Sequence, residues 1–323
     1  MSKLKLTLAC GDYDFLRPLF DGTVVAPGIE LNVLTMPSPE RHGRMLRHEE
    51  FDVCELSLIG YLVARDRGCS YTAIPVFPHR RFRHSYMVKR TGCGIERPAD
   101  LNGKRVALDT LQNSAGLWMR GILQDHYGVD LKTIEWWCQE EEDVPFEPAK
   151  WMKLNRVPEG KNVDQMLLEG EIEAALYPEV LPSIRNGSPK VALLFPDPKA
   201  AEIDYYRKSG IFPIMHTVVI KNAILEKNPW VAVSLVQGFQ RAKEACFERM
   251  RDPRSFALVW VQDLMREQKE IFGSDPWPYN LDDNRKSLKA AIRYEYEQGM
   301  IKRKPTVEEI FFPASLQRIQ HYV

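Results

Sequence analysis

The stretch FPHRRFRHSY, Phe77 to Tyr86, sets three arginines and two histidines between His79 and His84, among aromatic residues and directly after a proline. The planar fork of an arginine donates two parallel hydrogen bonds to a carboxylate. Arg80 and Arg83 are therefore candidates for gripping a small anion. Three residues apart on an extended chain they face opposite ways, so they converge only if the chain bends. A solvated basic loop is the plainer reading. Four other places carry reactive side chains. In ACGDYD, Asp12 and Tyr13 follow a strand-like run directly, although Asp12 or Asp14 would serve equally as a helix cap. In CELS, Glu55 sits in an apolar strand-to-helix junction, as a base or as an ion-paired turn residue. Ser57 beside it offers a hydroxyl and helix amides to an anion. In DTLQNSAGLWMRG, Asn113 and Ser114 cap a helix whose free amides suit an anion, and Arg120 follows two turns later, as a further anion contact or simply as a surface residue. His216, in the apolar run GIFPIMHTVV, is either a satisfied core residue or an acid–base group with an ordinary pKa of about 6.5.

Those residues need a scaffold, and the chain supplies one by alternation. KLKLTLA, IELNVLT, FDVCELS and YTAIPVFP read as strands, with helical segments such as PSPERHGRMLRHEE and LIGYLVARDRG between them. A second unit of the same kind starts near Thr91: RVALD, KTIEWWC, EAALY and KVALLF are strand-like, and NSAGLWMRGILQDHYG is a helix with an Asn start and a Gly stop. The segment Gln139 to Gly160 reads as a long acidic connection. After IMHTVVI nearly everything is helical. The expected fold class is α/β with two lobes, each a mainly parallel sheet flanked by helices, and a helical C-terminal extension. Residues 1–86 with 215–323 are expected to form one lobe and 87–214 the other, inserted within it. Ligands in such sheets bind beyond the carboxyl ends of the strands, here in the cleft between lobes.

Composition narrows the partners. The 323 residues carry 44 basic and 44 acidic side chains, a net charge of zero, which argues against nucleic acid. No run approaches the ~18 apolar residues of a membrane span, and MSKLKLTLACGDYDF lacks a secretory apolar core, so a cytoplasmic protein is expected. The six cysteines form no C-x-x-C pair and read as reduced thiols. No Walker loop, G-x-G-x-x-G, G-x-S-x-G or H-E-x-x-H occurs. Glu140 to Asp143 reads as a solvated acidic loop, not a metal site. The helical C-terminal third offers a surface for a homodimer, with Trp230, Trp260 and Trp277 as anchors or, more plainly, as core.

LACGDYD, FPHRRFRHS, WMRGILQDHYGV, GIFPIMHTVVI, DPWPYNLDDNRKSL and YEYEQGM together resemble the 4,5-dihydroxyphthalate decarboxylase family, over Leu4 to about Phe312. The resemblance implies a type 2 periplasmic-binding-protein-like fold used by a cytoplasmic enzyme, and a small aromatic carboxylate as substrate. It implies loss of carbon dioxide assisted by a phenolate and completed by protonation of the ring carbon. On that reading Arg80 and Arg83 hold the carboxylates, helped by the helix ends at Ser57 and Ser114. His216 or His84 protonates the carbon, and Asp12 or Glu55 takes or orients the phenolic proton. No organic cofactor is implied; a divalent metal on the catechol oxygens is open, without a ligand cluster to hold it. Two rival classes fit the same fold: a non-catalytic binding protein for an aromatic or carboxylate ligand, and a pyrimidine-synthase-like protein of thiamine biosynthesis. The second lacks a cysteine-rich C-terminal pattern.

Overall fold

The computed structural model describes residues 3–316. In chain order its strands are β1 (Leu4–Cys10), β2 (Ile29–Thr35), β3 (Val53–Ser57), β4 (Tyr71–Ile74), β5 (Met87–Arg90), β6 (Arg105–Leu108), β7 (Glu135–Cys138), β8 (Lys153–Arg156), β9 (Ala174–Leu176), β10 (Val191–Leu193) and β11 (His216–Lys221). They build two sheets, β2-β1-β3-β11-β4 and β10-β5-β9-β6-β7-β8. In the first, β1 runs parallel to β2 and β3, and β11 returns antiparallel between β3 and β4. In the second, β6 is parallel to β7 and β9, and β5 lies antiparallel to β9 and β10. The antiparallel strands are those reached directly after the chain changes sheet. The two crossings run side by side, with a backbone bridge between Arg80 and Ile214.

Local chemistry sets the helices that matter. Ser57 Oγ accepts from Gly60 N at 3.2 Å and starts the helix Leu58–Asp66 at the end of β3. Asn113 Oδ1 accepts from Ala115 N at 2.8 Å to start Ser114–Tyr127, which Gly128 ends at φ 68°. This helix packs on Leu281–Glu297 through Gly121, where an added Cβ would sit 2.4 Å from the Tyr294 ring. The main apolar core is shared by both lobes: Trp118 and Leu108 from one join Leu56, Val218 and Phe311 from the other. A smaller cluster, with Val88, Ala107 and Leu167, fills the outer face of the second sheet.

Three expectations change. The acidic connection contains an edge strand, β8, paired to β7. A helix at Pro198–Ser209 goes unread because its apolar signal is weak; Tyr205 is its one buried residue. The tryptophans are not core as a group: Trp230 is 42% and Trp260 69% exposed, and Trp277 is half-buried with Nε1 donating to Phe77 O at 2.7 Å. Among the described residues no helix is long and apolar enough to cross a membrane.

Candidate active site

A cavity of about 610 Å³ lies between the sheets, at the carboxyl ends of β3 on one side and of β6, β7 and β9 on the other. Its position follows from the fold, because strand ends and helix N-termini from both lobes point into the same gap. Ser57 and Ser114 meet there across the lobes, their hydroxyls 2.8 Å apart. Ser114 Oγ also donates to Met215 O at 2.8 Å, so the returning crossing is tied to both helix starts.

The register of β3 against β11 puts Glu55 and His216 together. Glu55 lies opposite Val218, and Ser57 opposite His216. Side chains alternate along a strand, so Glu55, Ser57 and His216 share one face, and Glu55 is the diagonal neighbour of His216. His216 Nδ1 donates to Glu55 Oε1 at 2.5 Å. The same carboxylate accepts from Tyr13 Oη at 2.7 Å, Gly11 N at 2.7 Å and Cys10 Sγ at 3.3 Å. Arg41, from the helix Ser38–His48, reaches it at 2.9 Å. Glycine at position 11 matters here, since an added Cβ would come within 2.8 Å of the Tyr13 ring.

Burial opposes charge on Glu55, but the Arg41 guanidinium beside it, then His216 and Tyr13, hold its pKa well below the usual carboxylate range. Burial pulls His216 below its ordinary value, and the Glu55 carboxylate pulls it back. Glu55 is therefore an anion that fixes the tautomer of His216, with Nδ1–H committed to it and Nε2 left for a ligand. Glu55→Ala strands Arg41 as a buried cation, an expected loss of about 3–5 kcal/mol in urea unfolding. Glu55→Gln keeps most hydrogen bonds, and its loss is expected to be smaller.

His42 and His79 also line the cavity, their rings edge-on to His216 at 4.7 Å and 4.6 Å. Burial keeps His42 well below its ordinary pKa and brings His79 down to about 2; the charge on His216 adds to both effects. Neutral imidazoles therefore wall the site. Arg83 closes the far side. It is 4% exposed, its Nη1 donates to Pro178 O at 2.8 Å, and its Nε and Nη2 face Met215 Sδ at 3.2 and 3.0 Å. Burial lowers its pKa to about 10, which leaves it charged near neutrality. Among the described residues no carboxylate forms an ion pair with it. Such a cation is costly to bury without a counterion, and it lines the cavity.

Some sequence-chosen residues lie elsewhere. His84 is fully buried against Phe195 and Tyr205 in the second lobe, with Nε2 3.0 Å from Tyr127 Oη. Arg120 is a structural tie, donating to Gln298 Oε1 at 2.6 Å and Leu111 O at 2.9 Å. Asp12 is half exposed and paired with Arg17 at 2.7 Å. Arg80 does not line this cavity; its Nη2 donates to Phe212 O at 2.9 Å in the wall of a separate pocket. Tyr13 supports Glu55 without lining the cavity, whereas Asn113 and Ser114 do line it. The acidic loop is also more than solvated. Glu142 accepts from the Leu111 and Gln112 amides at 2.7 and 3.0 Å, Glu140 and Asp143 line the cavity, and Asp143 pairs with Arg47 across the lobes. Asp109, also in the wall, is raised to about 6 by burial. Arg41, His42, His79 and Asp109 were missed as site residues. Among the described residues no group of three or more His, Cys, Asp and Glu side chains is placed to hold a metal ion.

The buried imidazoles give an acid-sensitive fold. His42, His79 and His84 (lowered by burial to about 4) have native pKa values below the roughly 6.5 of the unfolded chain. Below pH ~6.5 the unfolded chain binds more protons, so stability falls as pH drops toward 4, by up to about 1.4 kcal/mol per pH unit for each histidine. The buried carboxyls of Asp109 and Glu295, raised above their ordinary values, bind protons on folding and oppose this loss. Urea midpoints at pH 7, 6 and 5 are expected to decline by less than the three histidines alone would give, and a midpoint that rises from pH 7 to 5 would show that these rings are not held neutral.

The family described as "ABC transporter, phosphonate, periplasmic substrate-binding protein" matches residues 17–180. A 4,5-dihydroxyphthalate decarboxylase of Comamonas testosteroni is 34% identical over 326 residues, covering 98% of this chain and 99% of that protein. One of Pseudomonas putida is 36% identical over 214 residues, 64% of this chain and 83% of that protein. Among solved structures, the periplasmic aliphatic sulphonate binding protein SsuA of Escherichia coli matches with a TM-score of 0.58 at 14% identity, covering 98% of this chain and all of that one. That last likeness supports the fold alone: a two-lobed periplasmic-binding-protein architecture.

Proposed function

The chain belongs to the 4,5-dihydroxyphthalate decarboxylase family, and on that premise we propose that it converts 4,5-dihydroxyphthalate to protocatechuate and carbon dioxide in the cavity between the lobes. It is a carboxy-lyase. One observation carries the substrate and mechanism: a single cavity holds both a buried, unpaired guanidinium and an imidazole fixed by a buried carboxylate. The first suits the carboxylate the product keeps, and the second suits the proton the product gains.

The substrate has two adjacent carboxylates and two adjacent phenolic hydroxyls. Direct loss of carbon dioxide would leave an aryl anion. Ionising the hydroxyl para to the departing carboxylate instead pushes an electron pair onto the ipso carbon. In the proposed step Arg83, with the helix starts at Ser57 and Ser114, holds the retained carboxylate. Asp109, in the cavity wall with its pKa raised to about 6, takes the phenolic proton and returns it to the product's oxygen once carbon dioxide has left. The dianionic substrate favours the imidazolium form of His216, and Glu55 stabilises that charge. Nε2–H goes to the ipso carbon. The bond to the carboxylate then breaks, and its electron pair restores the aromatic ring. The proton consumed is returned to His216 from solvent after release. The ring is the electron sink, so the step calls on no organic cofactor.

Purified protein incubated with 4,5-dihydroxyphthalate is expected to release carbon dioxide and protocatechuate in equal amounts. Tight binding without turnover would instead support a non-catalytic binding protein, the reading favoured by the substrate-binding family match at residues 17–180.

A further inference from the structure

A second, smaller pocket of about 360 Å³ is separate from the first cavity. Arg80 lies in its wall, and the residue is 5% exposed. Its Nη2 donates to Phe212 O at 2.9 Å, while its Nε is buried without a partner. The guanidinium sits over the Phe212 ring at 4.7 Å. Burial lowers its pKa to about 10, so it remains a cation near neutrality. Two aspartates also face this pocket, but both are engaged. Asp275 accepts from Lys243 Nζ at 2.6 Å and Trp277 N at 2.9 Å, and Asp283 accepts from Asn280 Nδ2 at 2.7 Å. Among the described residues Arg80 has no ion-pair partner.

Three aromatic residues, Tyr206, Phe212 and Phe272, share the wall with glycines, serines and prolines. Phe212 and Phe272 lie 5.5 Å apart, and Tyr206 packs on Phe272 at 4.7 Å. A ring wall beside an uncompensated planar cation matches an aromatic ring that bears a carboxylate. We propose that this pocket binds a small aromatic monocarboxylate, with the carboxylate on Arg80 and the ring among Tyr206, Phe212 and Phe272. The site is distinct from the cavity of His216 and Arg83. It also explains why the crossing carries two buried arginines in two different pockets. A ligand held there grips both crossings, because Arg80 is bridged to Ile214 and Arg81 N donates to Pro213 O at 3.1 Å.

The test is calorimetric titration of benzoate into the full-length chain, read as binding without turnover. A protein that fails to decarboxylate therefore still tests this site. Arg83→Met serves as the background, since it removes the anion grip of the first cavity. In that background benzoate is expected to bind at one site. Adding Arg80→Met is expected to weaken that binding at least tenfold. Ser274 lies exposed on the pocket rim. Ser274→Trp, which leaves the core untouched, is expected to block the same site if Arg80→Met folds poorly. Loss of all benzoate binding in Arg83→Met alone would overturn the proposal, and so would binding unchanged by Ser274→Trp.

Discussion

His216→Ala is expected to lower kcat for 4,5-dihydroxyphthalate by about 10²- to 10⁴-fold, the usual contribution of one positioned acid–base group, with KM within a few-fold of wild type. The reason is where the charges sit. On the proposed reading Arg83 and the helix starts at Ser57 and Ser114 hold the anion, and the substitution leaves these residues in place. The proton donor is what disappears. Stability should not fall much either. Glu55 keeps Arg41, Tyr13 and the Gly11 amide as partners when the imidazole goes, so it is not left as a bare buried anion. Single-turnover measurements at saturating substrate separate the possibilities. A rate within threefold of wild type would remove His216 from the chemistry, and a rise in KM at constant kcat would make it a binding residue.

Much of this site was legible in the chain because strands and helix caps impose simple rules. Alternation in CELS and HTVVI fixes which residues share a face, and the Asn-Ser start of a helix announces free amides. Asn113 and Ser114 read as such a helix start, Glu55 and Ser57 as polar residues at an apolar strand-to-helix junction, and His216 as a histidine in an apolar β-type run; the five stand together. Arg80 and Arg83 do not converge: they stand in the walls of two different pockets. Arg41 and His42 escaped because SPERHGRMLRH is mostly charged and reads as a surface helix. A signal was present: its two large apolar residues, Met45 and Leu46, lie one turn beyond Arg41 and His42 and mark that stripe as the inward face. Nothing local separates His84 from His79. Which of the two meets His216 depends on the direction taken by the crossing and on the lobe that receives the next strand. The extra strand and the cavity-lining carboxylates of the acidic loop depend likewise on tertiary pairing, with Glu142 held by amides some thirty residues earlier in the chain.

Arg83→Met is expected to separate function from stability. Losing a buried partner of a bound carboxylate typically costs about 2–5 kcal/mol, so KM should rise by roughly 30-fold to several thousandfold. The folded protein without substrate gains from the same change. Arg83 is buried with no carboxylate partner, and its two contacts with Met215 are to a weak sulfur acceptor. Replacing a charge so poorly compensated with an apolar chain of similar length removes a desolvation penalty. Two costs oppose this gain: Pro178 O loses its donor, and Tyr86 loses the guanidinium that lies over its ring at 4.8 Å. Tm in the absence of substrate is therefore expected to be no lower than wild type, while the rise in Tm produced by adding substrate should largely vanish. A variant that unfolds several degrees earlier would show that Arg83 holds the lobes together. A variant that keeps wild-type KM would show that the anion is held elsewhere. The expected combination, an apo-protein at least as stable with its affinity gone, is the signature of a cation that the fold tolerates for the sake of its ligand.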